Sequence, residues 1–327
     1  MYKIKFILTI VLMLSLSSFF LNAAEPGDGT GIDSQILWRT PGTSQFVTVE
    51  SSDVLGSLHS SFGTSAGYYR NAVGLSVNGK DYWSVESVFG MDFSWAVGFM
   101  NVFQVGLVMP VIIHQTGDGS SPIYSDDIEA DTRSLGGSAV GDMRLHLKAR
   151  MLGNNEKNAD NRGPGIALDV AFALPTGDEH NFSGSSSVIF APSIIFDFHK
   201  LPFSAGLNIG ARLRSGKKAQ LADSAVGNQF SAAAGFTIHL LKDNLLLSAE
   251  TNLLAEMDDF RRMGAELRAA VGSRPGRSKA VTLWLSGSGG VSNRDKPLMS
   301  IPRMRFTFGL TYVPGASTED EMDAFFE

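Results

Sequence analysis

A repeated alternation of apolar and polar residues is the feature that most constrains the fold of this chain. The alternation is cleanest from Gly141 to Arg150, where polar and charged side chains occupy every second position. On a helix those side chains would spread around the whole surface, whereas on a strand they share one face. The same pattern recurs from about Val54 to Val313 and predicts an all-β chain.

Twelve segments carry the alternation. They are 54–70, 84–99, 102–114, 138–152, 164–175, 185–198, 202–214, 227–240, 244–256, 262–272, 280–291 and 302–313. Some connections are only two or three residues long, which suits antiparallel neighbours and leaves no room for crossover helices. Short and long connections alternate, as they do at the two ends of a membrane barrel. We therefore expect a transmembrane antiparallel up-and-down β-barrel of about 12 strands over residues 54–313.

The composition of the two strand faces indicates which one points outward. The apolar face persists for about ten residues in most segments, the length that a tilted strand needs to cross a bilayer. The other face is mostly Gly, Ala, Ser and Asn, and charged residues make up only 18% of the chain. Aromatic residues lie near strand ends, as in interfacial girdles. These features favour a lipid-facing apolar surface over the alternative, a secreted soluble β-protein.

The flanking regions divide the rest of the chain. Residues 1–24 combine two lysines, an apolar run and small residues, the layout of a signal peptide. Residues 25–53 are rich in Gly, Ser, Thr and Asp and are interpreted as a periplasmic segment, either a linker or a small plug. Residues 314–327 form an acidic tail. We expect the bacterial outer membrane as the location.

Composition also excludes several kinds of chemistry. The chain has no cysteine, so thiolate metal sites and cysteine nucleophiles are excluded. Without Lys3 and Lys5, the 27 basic residues fall to 25 against 33 acidic ones, a balance that does not predict nucleic-acid binding. No local motif pairs a serine with a histidine as hydrolases require, and no phosphate loop is present. We expect neither an enzyme nor a cofactor.

The polar faces of the strands supply a set of candidate lumen-lining residues. These are Glu86, Asp92, Asp142, Arg144, His146, Lys148, Arg150, Asp169, Arg212, Arg214, Glu250, Arg262, Glu266, Arg268, Arg303 and Arg305. We expect Asp169 to reach the 142–150 strand, and Glu250 to reach Arg262 and Arg268. Two interpretations stay open: the charges satisfy one another and fill the lumen, or they line a narrow pore.

Two prolines within the predicted strands, Pro110 and Pro192, conflict with an uninterrupted barrel. A closed barrel has no free edge to accommodate a missing N–H, so each proline requires a bulge or an early strand end. At Pro192 a bulged strand would permit a further hypothesis, a lateral gap through which an apolar solute leaves into the bilayer.

Four sequence motifs carry a family resemblance. The run from Gly141 to Leu152 resembles a "GD-x-x-L-x-x-K-x-R-L-L" strand, and Pro175-Thr176-Gly177-Asp178 resembles a "PTGD" loop. Residues 107–118 and 46–75 are similar to two further strands of the same group. The group comprises the MetA-pathway phenol-degradation proteins and the barrels of certain OmpA-family proteins. The resemblance implies an outer-membrane barrel that transports small, apolar or aromatic molecules.

These observations lead to one functional expectation. The chain is expected to be a channel or passive transporter for small molecules. Its expected partners are outer-membrane lipids and lipopolysaccharide, the barrel-assembly machinery and an unidentified solute. The alternative is a structural or adhesive barrel with a filled lumen that acts through its surface loops.

Overall fold

The structure is a computed structural model of the chain. It describes residues 31–35, 37–42, 45–77, 80–119, 135, 137–153, 163–216, 218–221, 224–276, 278–292 and 301–314. The predicted signal peptide (1–24) and nearly all of the predicted acidic tail lie outside these ranges, and both stay predictions.

Fifteen strands occur in the described residues. They are β1 (Ser60–Val77), β2 (Lys80–Phe99), β3 (Phe103–Thr116), β4 (Ala139–Val140), β5 (Arg144–Leu152), β6 (Gly163–Ala173), β7 (Ile189–Lys200), β8 (Phe203–Arg214), β9 (Ala219–Leu221), β10 (Ser224–Val226), β11 (Gln229–Leu240), β12 (Leu245–Glu256), β13 (Met263–Ser273), β14 (Val281–Ser292) and β15 (Met304–Tyr312). Twelve of them form the wall, and β4, β9 and β10 are short additions.

The wall closes on itself. Each wall strand pairs antiparallel with the next, and β15 pairs back onto β1 from Phe62↔Tyr312 to Arg70↔Met304. Closure pairs the strand edges that an open sheet would expose. The predicted all-β, 12-strand antiparallel barrel is confirmed. Among the described residues, no helix is long and apolar enough to cross a membrane.

The first hairpin is longer than its sequence pattern predicts. The prediction of strands at 54–70 and 84–99 with a loop at 71–83 was wrong. β1 begins only at Ser60 and extends to Val77, and β2 already begins at Lys80. Asn71 has a φ of 56°, and the β1–β2 register shifts on either side of Val73. Such a bulge interrupts the two-residue alternation, so the pattern ends although the strand does not. The other wall strands begin and end within four residues of the predicted bounds, apart from an interruption at 141–143 in the predicted 138–152 strand.

The two faces of the wall have opposite polarity. On β13, Leu267 and Val271 are exposed while Glu266 and Arg268 are buried. The same arrangement holds on β15, where Phe306 is 56% exposed and Arg305 only 7%. A water-soluble barrel would bury the first set and expose the second. The exterior is therefore suited to lipid.

Each proline lies where a strand ladder is interrupted. At Pro110 the β3–β5 pairing has already ended at Val108↔Arg144, and β4 pairs only with the next two residues of β3. At Pro192, β7 stays paired with β6, but its pairing with β8 skips Ala191 and Pro192 without a change of register. The expectation of a bulge or strand end at Pro192 was thus wrong, because the missing N–H costs only a local break in one ladder.

Residues 31–58, as far as they are described, are called the luminal segment below; they lie inside the barrel except for the exposed Ser57 and Leu58 at the rim. At its start Ser34 N donates to Phe182 O (2.8 Å), in a connection between β6 and β7. At its other end Ser57 N donates to the Asn101 side chain (2.6 Å), in the turn between β2 and β3. These connections lie at opposite ends of the wall, so the segment runs along the lumen before β1 begins.

Candidate functional site: the barrel lumen

More than half of the predicted lining residues are buried within the barrel. The nine that are buried are Asp142, Arg144, His146, Lys148, Asp169, Glu250, Glu266, Arg268 and Arg305. Arg212 and Arg214 are half-buried and contact the luminal segment, and Asp92 accepts a hydrogen bond from Ser65 (3.2 Å).

The other four predicted lining residues lie at the rims or outside the lumen. Glu86 forms a half-exposed ion pair with Arg70 (2.8 Å), because the bulge in β1 and β2 changes which way the side chains point. Arg150 donates to the carbonyl oxygen of Asn101 (2.5 Å) in a turn. Arg262 and Arg303 each precede the first residue of a strand.

Strands β5 and β6 supply a buried cluster. His146 Nδ1 lies 3.0 Å from Asp169 Oδ2, the contact expected between Asp169 and the neighbouring charged strand. Two guanidiniums lie over the Trp38 ring of the luminal segment, that of Arg212 at 4.3 Å and that of Arg144 at 5.3 Å from its centroid. A charged guanidinium is attracted to the face of an aromatic ring, so this arrangement is favourable for both arginines.

Glu250 on β12 holds the luminal segment most directly. Its carboxylate accepts hydrogen bonds from the backbone N–H groups of Val47 (2.7 Å), Thr48 (2.8 Å) and Val49 (3.2 Å), and from the Thr48 hydroxyl (2.6 Å). Charged acceptors make stronger hydrogen bonds than neutral ones. The carboxylate thus satisfies three backbone donors that have no strand partner.

Three more wall residues bind the segment in the same way. Asp197 accepts from Ser52 N and Oγ, both at 2.7 Å, and Asn208 accepts from Glu50 N (2.7 Å). Gln104 accepts from Leu55 N and donates to the Pro41 carbonyl. With Glu250, these side chains are called the segment-binding residues: Gln104, Asp197, Asn208 and Glu250.

A second group of wall residues, on β13, β14 and β15, bind each other. Arg268 donates to Glu266 (2.8 Å) and to Ser286 (2.7 Å), and Glu266 also accepts from Ser288 (2.5 Å) and lies 3.3 Å from Arg305. These five residues are called the self-paired cluster. Glu250 lies directly opposite Arg268 in the β12–β13 register, as expected, but Arg268 forms its ion pair with Glu266, and the backbone of the luminal segment occupies the Glu250 carboxylate.

A cavity of about 110 Å³ remains between the segment and the wall. Leu37, Trp38 and Glu50 line it from the segment. The wall contributes apolar residues of β7, β8 and β11, together with polar ones that include His146, Asp169 and Arg212. The lumen is therefore largely occupied but not completely filled.

The two motifs at 141–142 and 175–178 meet at the rim with the longer connections. Asp142 accepts hydrogen bonds from Gly177 N (2.9 Å) and Ser185 N (2.7 Å). A Cβ on Gly177 would lie 2.5 Å from Ser183 O and 2.8 Å from Asp142 N, so only glycine fits there. Burial raises the pKa of Asp142 to about 7, and the nearby Asp33 adds to that rise. The motifs thus clamp the loop whose Phe182 carbonyl holds the luminal segment.

At the end of the barrel that carries the short turns, buried side chains form a continuous series of hydrogen bonds. Ser204 Oγ lies between His199 Nδ1 (2.5 Å) and His239 Nε2 (2.6 Å), and His239 Nδ1 lies 2.5 Å from Asp243. Burial alone would raise the pKa of Asp243. Hydrogen bonds from His239 and Arg274 outweigh burial and hold this pKa below its usual range. No local sequence motif indicates this Ser–His–Asp arrangement, because its members come from different strands and a turn.

The fold and lumen define a class: a β-barrel of the bacterial outer membrane whose N-terminal segment occupies its interior. No protein-family model matches the sequence, and no curated protein matches it. The wall is similar to a crystal structure of an outer-membrane channel from Pseudomonas putida F1, at 11% identity and a TM-score of 0.56, over 80% of this chain and 97% of that one. The NanC porin covers 77% of this chain and 98% of its own length at 9% identity, with a TM-score of 0.49.

At 11% identity, the likeness to the Pseudomonas channel shows a shared fold. The finer resemblance to the MetA-pathway and OmpA-family barrels stays a sequence-based prediction.

Proposed function

We propose that the protein is a passive channel or transporter for small molecules, with a lumen that the luminal segment narrows. The observation that carries the proposal is that a separate stretch of chain occupies the lumen. That stretch is held by hydrogen bonds to wall side chains and lies beside a residual cavity. A segment held in this way can move without breaking the wall, because the strand ladders do not depend on it.

A structural barrel with a filled lumen is the second candidate. It is favoured by the same occupancy, since the segment carries buried apolar side chains such as Phe46 and Val49. The two candidates differ in ion conductance. A channel conducts ions either with the segment in place or after the segment moves, whereas a structural barrel conducts ions in neither state.

Single-channel recording of the refolded full-length protein tests the proposal. We expect resolved conductance steps, and larger steps from a variant that lacks residues 31–53. Silence from both, with heat-modifiable gel migration showing folded barrels, would establish the structural alternative. Steps of equal size from both would show that the segment does not narrow the path.

For the solute, we propose small apolar or aromatic molecules. Support comes from the sequence resemblance and from the apolar part of the cavity lining, which includes Leu37, Trp38 and Ala211. Pro192 lines the same cavity, beside the break between β7 and β8. The strands still touch there, since a Cβ on Gly210 would lie 2.5 Å from the Pro192 carbonyl oxygen. Lateral exit would thus require β7 and β8 to separate.

The substitution Pro192→Val tests this route. Valine supplies the missing N–H and favours the strand, so we expect slower uptake of an apolar solute such as toluene by cells that express the variant. Barrel folding should be unchanged on the gel. Uptake equal to that of the unaltered protein would rule out lateral exit at this position while leaving the channel proposal intact.

A further inference from the structure

One half-buried and two buried side chains converge on the lumen cavity without fully using their polar atoms. Glu50 belongs to the luminal segment, His146 to β5 and Asp169 to β6, and all three line the cavity. His146 is 3% exposed and Asp169 is 1% exposed. One ligand-type atom from each lies within 4.8 Å of the other two.

One polar atom on each residue lacks a hydrogen-bond partner. These are Glu50 Oε2, His146 Nε2 and Asp169 Oδ1, all shielded from solvent. Burying polar atoms without partners costs free energy, and native proteins rarely tolerate several such atoms at one place. Three unsatisfied atoms on residues that line one cavity therefore indicate that the cavity binds a ligand.

The position of each residue is fixed by other contacts. The Glu50 backbone is held on both sides by Asn208, which accepts from its N–H (2.7 Å) and donates to its carbonyl (3.1 Å). His146 and Asp169 are held by the β5–β6 ladder and by their own hydrogen bond of 3.0 Å. The cluster is thus arranged before any ligand arrives.

We infer that Glu50, His146 and Asp169 form a binding site for a divalent transition-metal ion of the zinc type. One imidazole and two carboxylates are ligands that zinc accepts, and three protein ligands with one open position are common for it. The cavity leaves space for water at that open position. Because Glu50 lies on the segment and the other two on the wall, the ion would link the segment to the wall.

Lys148 is the main opposing charge. It lies directly opposite Asp169 in the β5–β6 register and is buried on the same face as His146. Its ammonium competes with a cation for the carboxylates. We therefore expect Lys148→Met to bind zinc more tightly than the unaltered protein does.

The test measures zinc content directly and does not depend on whether the barrel conducts. The full-length protein is refolded in detergent, incubated with zinc and dialysed, and its metal is counted by atomic spectroscopy. We expect one zinc per chain, and cobalt in its place should give the visible absorption bands of a site with a nitrogen ligand. The variants Glu50→Gln, His146→Ala and Asp169→Asn should each lose the bound equivalent.

His114→Ala is the control, because His114 is exposed on β3 and should keep its zinc. In Glu50→Gln, loss of zinc can be distinguished from misfolding, because Glu50 is not part of the wall and gel migration reports the folded barrel. An unaltered protein that retains no zinc would overturn the site. Retention of zinc by Glu50→Gln or His146→Ala, with loss in His114→Ala, would place the metal elsewhere and overturn it equally.

Discussion

Two groups of buried wall residues, the segment-binding residues and the self-paired cluster, meet the same physical requirement in different ways. Buried charged and polar groups need partners, or they destabilise the fold. The segment-binding residues find theirs in the luminal segment, whose backbone N–H groups point at Glu250, Asp197 and Asn208. The self-paired cluster finds its partners within the wall, where Arg268 and Glu266 bond each other.

This difference separates what depends on the segment from what depends on the wall. If the segment leaves, the segment-binding residues lose their donors and must be hydrated, whereas the self-paired cluster keeps its ion pairs. The ion pairs on β13 and β15 can therefore persist when the segment moves, and the bond from Arg39 of the segment to Thr311 would be lost from β15. Retention of the segment and stability of the barrel should therefore respond to different substitutions.

The largest effect is expected from Glu250→Ala. It removes the acceptor of four hydrogen bonds from the luminal segment and of one from Ser248, and it leaves three backbone donors of the segment without this acceptor, at about 1–3 kcal/mol each. We expect the segment to detach, which should be visible as faster proteolysis within residues 31–53 and as larger conductance steps. The barrel itself should still migrate as a folded species on a detergent gel.

Glu256→Ala is the matched control for that substitution. Glu256 is a buried glutamate on the same strand, but it accepts from Gly227 N and Gln229 Nε2 rather than from the segment. Proteolysis of the segment should therefore stay slow. Equal proteolysis in both variants would contradict the separation between segment binding and wall stability.

A smaller effect is expected from Arg268→Met in the self-paired cluster. Removing one member of a buried ion pair leaves the other charge uncompensated, at a cost of about 3 kcal/mol. We expect a lower unfolding midpoint in urea with unchanged proteolysis of the segment. Arg262→Met, at the half-buried start of the same strand, should move the midpoint much less. Faster proteolysis of the segment in Arg268→Met would show that the self-paired cluster and the segment-binding residues are coupled.

The sequence predicts the wall far better than the contents of the lumen. Alternation on β13 or β15 reflects local geometry, so strand positions and the lipid-facing side follow from the residue order alone. The partner of Glu250 does not, because Val47 to Val49 lie some 200 positions away and bind through backbone groups that every residue has. The Ser204–His239–Asp243 chain was missed for the same reason of distance.

The loop clamp at Asp142 should respond to pH. The pKa of Asp142 is raised to about 7 in the folded protein, well above its usual value, so the folded state binds more protons than the unfolded state between about pH 4 and pH 7. Its contribution to stability is thus present at low pH and is lost as the pH rises towards 7. We expect Asp142→Asn to show a smaller decline of the unfolding midpoint over that range.

Asp178→Asn perturbs the same loop through the hydrogen bonds to His180 N and Asn181, but leaves Asp142 in place. It should keep the steeper decline of the unaltered protein. Equal slopes in all three proteins would show that Asp142 does not titrate in this range. The attachment of the segment at Phe182 would then be independent of pH.

The smallest effect is expected at Ser204, which belongs to a series of hydrogen bonds that joins wall residues to the luminal segment. The chain from His199 to Asp243 lies within the wall, yet Arg274 extends it from Asp243 to the Gln45 side chain of the segment (2.8 Å). Ser204→Ala removes one hydroxyl between two imidazoles and should cost about 1 kcal/mol of barrel stability. Ser204 is 1% exposed, so a fluorophosphonate probe should not label it in the intact protein. Labelling that disappears in Ser204→Ala would instead reveal a reactive Ser–His–Asp arrangement, and the short-turn end would then carry chemistry that the rest of the lumen does not.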